Sequence, residues 1–346
     1  MSADSRLQRL WYGPAWRSLP LWPLAWVFGI MVALRRGLYR TGLLRARRAG
    51  IPVVVVGNLT VGGTGKTPIA AWLARQLTLR GHRVGVVLRG YGGLHSSRMR
   101  VVAADTDPAE VGDEALLHAR RTPHVVVIGA DRAAAAQLAE REGAEIVVCD
   151  DGLQHLRLAR DYEIAVVDGA RGFGNGRLLP AGPLREPAGR LEHVDAVVVT
   201  ERGAGEGARI EPRRPFTAAA RLELGQAVNL VSGERRSLDV FRGADVHAVA
   251  GIGNPQAFFD GLRAAGVSAT EHALPDHASF DAAAPPFPAG ATVLMTEKDA
   301  VKCRGHARPG WWFVELDVAI ERGTAGDLLA LILERTGLTG AGVKLG

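Results

Sequence analysis

The sequence predicts an α/β protein: a mostly parallel sheet with helices on both faces, a second smaller α/β unit, and an N-terminal membrane-associating helix. Three observations carry that prediction. Short β-branched runs at Ile51–Val56, Arg83–Leu88, His124–Ile128, Glu145–Cys149, Glu163–Val167 and Asp195–Val199 alternate with helical patterns such as Pro108–Arg121 and Asp131–Glu142. Such alternation is the pattern of strands buried on both faces and covered by crossover helices. The first run leads into a glycine-rich loop, and the segment before it gathers Trp and Arg. At 346 residues and 47% apolar, the chain is long enough for about two domains with buried cores, which excludes wholesale disorder. Its two cysteines, Cys149 and Cys303, exclude a disulfide framework and a cysteine-based zinc site.

Residues 1–50 hold nine Arg and one acid, Asp4, so this segment carries +8 and the remaining chain −2 of the net +6. The basicity is local and the body is near neutral, which argues against a nucleic-acid binder. Four of the seven Trp (Trp11, Trp16, Trp22, Trp26) share the segment. Its uncharged stretch, Ser18–Leu34, contains Pro20 and Pro23, leaving Leu24–Leu34 as the continuous apolar part. A spanning helix needs roughly 20 residues. The expectation is therefore a helix lying in the interface, with Trp and Leu in the acyl boundary and Arg at anionic headgroups.

The loop reads Gly57-Asn58-Leu59-Thr60-Val61-Gly62-Gly63-Thr64-Gly65-Lys66-Thr67-Pro68, between a buried strand and an apolar helical pattern. Strand, glycine-rich loop, Gly-Lys-Thr and helix are the parts of a P-loop. Residues Thr60 and Gly62 to Thr67 are the predicted nucleotide cradle. Backbone N–H groups close on phosphate oxygens, Lys66 reaches the β and γ phosphates, and the Thr67 hydroxyl is a Mg²⁺ ligand. Thr60 stands where the motif asks for Gly. Only four of the 42 basic residues are Lys (Lys66, Lys298, Lys302, Lys344), so each invites the question why the wide planar fork of Arg would not serve in place of a compact charge; Lys66 and Lys298 fall in motif-like strings.

The run Glu145–Cys149 ends in Asp150-Asp151, at the carboxyl end of a strand where α/β proteins bind ligands. Both acids are predicted Mg²⁺ ligands beside Thr67. Arg177–Pro187 (RLLPAGPLREP), with three Pro, is a stiff loop presenting guanidinium groups. Arg202–Pro215 has a linker's composition, and a helix at Pro255–Ala265 and a strand at Thr292–Thr296 follow it. The expected organisation is 1–50 interface helix, 51–205 P-loop domain, 206–320 second α/β domain, and 321–346 a C-terminal helix able to pack back on the first domain.

Taken together, GNLTVGGTGKTP (57–68), RGYGG (89–93), VGDE (111–114), DDGLQH (150–155), RLLPAGPLREP (177–187), GIGNP (251–255), PDH (275–277) and TEKD (296–299) resemble the tetraacyldisaccharide 4'-kinase (lipid A 4'-kinase) family. Thr60 belongs to that family's pattern. The resemblance implies transfer of the ATP γ-phosphoryl group to the 4'-hydroxyl of an acylated glucosamine disaccharide 1-phosphate, with ATP and Mg²⁺. It implies Asp113 as the base with His277 as its partner, Asp150 and Asp151 around the metal and γ-phosphate, and Arg185 stabilising phosphate charge. It places the enzyme at the cytoplasmic face of the inner membrane, peripheral or monotopic, with no nucleic acid and no obligate protein partner. The alternative is a membrane-bound deviant P-loop switch ATPase; the Val61 in place of that class's signature Lys speaks against it.

Overall fold

The computed structural model describes residues 7, 9–93, 98–121, 125–201, 216–275, 287–288 and 290–338. A short 3-10 segment, Ala15–Leu21, runs into helix α1 (Trp22–Arg40). Pro23 sits in the first turn of α1, where a missing N–H costs nothing, so it starts the helix and does not break it. Pro20 lies within the 3-10 segment. The helical stretch Trp16–Arg40 is therefore longer than the sequence suggested, and by length and composition it is sufficient to cross a membrane. Trp26, Ile30 and Leu34, four residues apart, are 73%, 63% and 62% exposed. They form one apolar stripe that the other described residues leave exposed.

The remaining elements are β1 (Val53–Gly57), α2 (Lys66–Leu79), β2 (Val84–Leu88), β3 (Arg100–Val102), α3 (Pro108–Val111), α4 (Asp113–Arg121), β4 (Val125–Ile128), α5 (Arg132–Arg141), β5 (Ile146–Asp150), β6 (Tyr162–Asp168), β7 (Ala196–Glu201) and β8 (Phe216–Asn229). After these come β9 (Arg235–Arg236), β10 (Val246–Ala250), α6 (Pro255–Ala264), β11 (Thr270–Ala273), β12 (Thr292–Thr296), α7 (Glu297–Cys303), β13 (Trp311–Ile320) and α8 (Arg322–Thr336). One sheet runs through both halves in the order β11-β10-β12-β13-β8-β7-β6-β1-β5-β2-β4-β3, with β9 beside β8. From β7 to β4 every pair is parallel, as the buried β-branched runs require. The antiparallel pair β8–β13 joins the halves.

The first half carries an apolar core on each face of the sheet. One is built on Ile69, Leu73 and Leu116, the other on Val55, Leu153 and Ala165. The second half has cores of its own around Phe258, Phe259 and Trp312, and around Met295 and Trp311. Leu328, Leu329 and Ile332 of α8 lie in the Ile69–Leu73 core. The expected linker, Arg202–Pro215, lies outside the described residues.

A single helix was expected over Pro108–Arg121. It breaks at Gly112, whose φ of 85° is left-handed, and an added Cβ there would collide with the Tyr91 carbonyl. The break makes Asp113 the first residue of α4, at the positive end of a helix dipole.

Candidate active site

The parallel register sets the site. Val56 of β1 pairs with Asp150 of β5, so the start of the glycine loop and the end of β5 lie at one level of the sheet. Gly62 and Gly65 have φ of 113° and 84°, conformations only glycine adopts without strain. Thr60 needs no such freedom. Its backbone bridges Leu184, and two backbone bonds flank that bridge, Val61 N–H to Pro183 O (2.8 Å) and Arg185 N–H to Leu59 O (2.7 Å). These ties explain both Thr60 and why the Pro-rich loop lies against the glycine loop. On the other side the buried Thr200 hydroxyl of β7 donates to Thr64 O at 2.9 Å.

Asp151 is the one described non-glycine residue with positive φ, 53°. Asp tolerates that region in turns, and here it follows β5 in the tight Asp151-Gly152 turn. Its two oxygens face Lys66 Nζ at 3.8 Å and Arg185 Nη1 at 3.0 Å. Gln154 of the same turn donates to Asn58 O (3.0 Å) and Glu186 Oε1 (3.1 Å). Lys66 and Arg185, both expected at the phosphates, thus meet at Asp151, the neighbour of Asp150.

Asp150 is fully buried and accepts a 3.1 Å hydrogen bond from His118 Nε2. Burial pushes its pKa upward, but the His118 bond and charge, with Lys66 and the Thr67 hydroxyl, outweigh it and hold the carboxyl below its ordinary value. Asp150 Oδ1, Thr64 Oγ1 and Asn58 Oδ1 are buried without a protein hydrogen-bond partner. Unpaired buried polar atoms are costly, and two on the glycine loop with one at the end of the neighbouring β5 suit a ligand that satisfies them. A buried carboxylate oxygen beside a Thr hydroxyl is a hard donor set that fits Mg²⁺ with phosphate oxygens and water. His155 is pulled down to about 4, first by burial and then by Arg132 and Arg160, so it is neutral at physiological pH.

Asp113 is buried, with Lys302 Nζ 3.3 Å from its Oδ2. Lys302 also lies 3.6 Å from Asp299 Oδ1. Asp299 Oδ2 in turn accepts from Thr296 Oγ1 (2.6 Å) and Gly251 N–H (2.9 Å). An added Cβ at Gly251 would stand 2.8 Å from Asp299 Oδ1 and 3.3 Å from Pro275 O. The strings GIGNP, TEKD and the start of PDH therefore meet beside Asp113. His277 lies outside the described residues.

Sequence reasoning missed His118, Lys302 and Arg36. Arg36 reaches from α1 to within 3.4 Å of buried Glu186 Oε2, linking the N-terminal helix to the Pro-rich loop. The same two elements meet again where Arg177 lies 3.7 Å over the Trp22 ring, and ahead of α1 Trp11 Nε1 donates to Pro180 O at 3.0 Å. Between them is an apolar cavity of about 440 Å³, lined by Trp22, Trp26, Gly29, Ile30 and Leu178.

Residues 17–334 match the tetraacyldisaccharide-1-P 4'-kinase family. The chain belongs to this family. It is 48% identical over 319 residues to a tetraacyldisaccharide 4'-kinase of Pseudomonas aeruginosa, covering 92% of this chain and 94% of that one. It is 44% identical over 328 residues to the Methylobacillus flagellatus protein of the same name, covering 94% and 95%. The crystal structure of an "apo" form LpxK from Aquifex aeolicus in complex with ATP superposes with a TM-score of 0.80. That pair is 30% identical, with 92% of this chain and 99% of that chain covered.

Proposed function

We propose that the chain transfers the γ-phosphoryl group of ATP to the 4'-hydroxyl of a tetraacyldisaccharide 1-phosphate at the membrane surface. The observation that carries this is the convergence of Lys66, Asp151 and Arg185 beside a buried, partly unsatisfied Asp150. Lys66 and the loop N–H groups hold the β and γ phosphates, and Arg185 swings from Asp151 to the charge that builds on the transferred group. Thr67, Asp150 and Asp151 would hold Mg²⁺, which when bound neutralises phosphate charge. Asp113 takes the hydroxyl proton, with His277 as its family-expected partner. The 4'-oxygen forms a bond to the γ-phosphorus as the bond to the β-phosphate oxygen breaks, and ADP leaves.

The exposed stripe Trp26–Ile30–Leu34 enters the acyl boundary at the cytoplasmic face of the inner membrane, with Arg35, Arg40 and Arg45 at the headgroups. The cavity between α1 and Leu178 receives apolar substrate chain. The halves 51–205 and 206–320 act as two units that close on the acceptor. The test is label transfer from γ-labelled ATP to tetraacyldisaccharide 1-phosphate in mixed micelles with Mg²⁺. Wild type gives a labelled lipid and Asp113→Ala does not, while still binding ATP. Label appearing only as free phosphate overturns the kinase assignment, and transfer retained in the variant removes Asp113 from its role.

A further inference from the structure

The buried charge cluster behind Asp113 has no place in the phosphate chemistry. Lys302 and Lys298 occur four residues apart on α7, and their ammonium groups lie 3.3 Å and 3.9 Å from two adjacent acids of α4, Asp113 and Glu114. These are two of only four lysines in the chain. The Lys302 and Asp113 side chains are each 10% exposed and Asp299 is 1% exposed. An ammonium between two carboxylates in such a setting leaves one negative charge in excess, and Coulomb attraction there is little screened.

The cluster is anchored at its far end. Thr296 and Gly251 hold Asp299 by hydrogen bonds, and Asp299 Oδ1 forms a 3.6 Å ion pair, without a hydrogen bond, to the buried Lys302 Nζ. Arg121 of α4 grips Glu297 of α7 through two nitrogens, one at 3.0 Å, which fixes the two helices against each other. We propose that Lys302 is a positioning residue for Asp113: clamped by Asp299, its ammonium holds the Asp113 carboxylate ionised and fixed in orientation to receive the acceptor's proton. This rests on Asp113 being the base.

The charged groups around α4 can be named. From α7 come Glu297, Lys298, Asp299 and Lys302; from β3 and α3 the Arg100–Glu110 pair; from α2 Lys66, engaged with Asp151. On α4 itself stand Glu114, His118, Arg120 and Arg121; His118 is bonded to Asp150, Arg120 to Ala104 O and Arg121 to Glu297. β4 (VVVI) brings none. Among the described residues, Lys302 Nζ lies at ion-pair distance from Asp113, and Asp299 is an acid that shares it.

Two near-isosteric variants test the proposal through opposite signs. Lys302→Met removes a positive neighbour of the base, so the acid limb of the kcat/KM profile moves up by about one pH unit or more. Turnover at neutral pH falls about 10-fold or more while the KM for ATP stays within about twofold. Asp299→Asn removes the competing carboxylate, and the limb moves down. Opposite shifts cannot come from loosened packing. An unmoved limb in Lys302→Met or in Asp299→Asn overturns the proposal, and either variant suffices if the other does not fold, judged by melting and ATP binding. Asp113→Ala alone retaining full transfer identifies failure of the base, not of the clamp.

Discussion

The Thr200–Thr64 bond offers a direct test of how the glycine loop is held. Thr200 is 1% exposed and its hydroxyl donates to Thr64 O at 2.9 Å. The substitution Thr200→Val keeps shape and volume, so no cavity opens. It removes the donor and leaves Thr64 O, beside Gly65 and buried Leu222, without that partner. A lost neutral hydrogen bond costs about 1 kcal/mol net, and an orphaned buried acceptor raises this to about 1–3 kcal/mol. The loop can escape part of the penalty by opening toward water, and each ~1.4 kcal/mol of opening lowers affinity for ATP tenfold. The expected result is a 5- to 10-fold weaker ATP dissociation constant, roughly 1–1.4 kcal/mol, with a small fall in melting temperature. Titration calorimetry and a melting curve on the same sample measure both. Unchanged ATP affinity alongside a lowered melting temperature would show that the bond braces β7 and not the loop, and the reasoning would be wrong.

Other perturbations follow from the same geometry. Asp150→Asn is expected to lower turnover about 100-fold. Because the Asp150 carboxyl is held below its ordinary value, it contributes stability above pH ~4 that is lost as pH falls through the folded value. Melting temperatures of wild type should therefore drop more steeply than the variant's under strong acid. His155, pulled down to about 4, stays neutral when folded while the unfolded chain takes up a proton below pH ~6.5. Wild type then loses about 1–2 kcal/mol more than His155→Gln between those values, after allowance for solvent screening, as denaturant titrations at pH 7 and 4.5 would register. Arg36→Met leaves buried Glu186 with the Gln154 amide at 3.1 Å and the Arg190 guanidinium at 3.6 Å but without the α1 cation. It should reduce lipid phosphorylation in micelles about 10-fold with ATP affinity intact, and equal losses in both would refute a role specific to α1.

The parallel half was legible because its strands are nearly unbroken β-branched runs, and two of them, β1 and β5, run directly into the glycine loop and Asp150-Asp151. The long strands β8 and β13, which carry the sheet into the second half, were not read. In β8, Ala218, Ala220 and Leu222 are buried between Ala219, Arg221 and Glu223. With small alanines on both faces, that alternation is faint. The helix over Pro108–Arg121 was read as continuous because Gly112 alone gives no sign that its φ must be positive. The steric reason, the Tyr91 carbonyl, comes from a loop about 20 residues away.

The site residues nearest the phosphates announce themselves by local spacing, whereas those that hold them in place depend on contacts between distant segments. His118 is joined to Asp150 across 32 residues, and Lys302 to Asp113 across 189. Periodicity still carried a trace of them. His118 falls one turn after Ala115 on the buried face of α4, and Lys302 follows Asp299 by three on a helix whose Ala300, Val301 and Cys303 are buried. A polar side chain placed by periodicity on a buried face must have a partner of complementary chemistry, because an unpaired one costs more than the fold can spare. Amphipathic spacing can therefore indicate that such a residue is engaged. Only the packing of α4 on α7 and α2 on β5 decides with which acid.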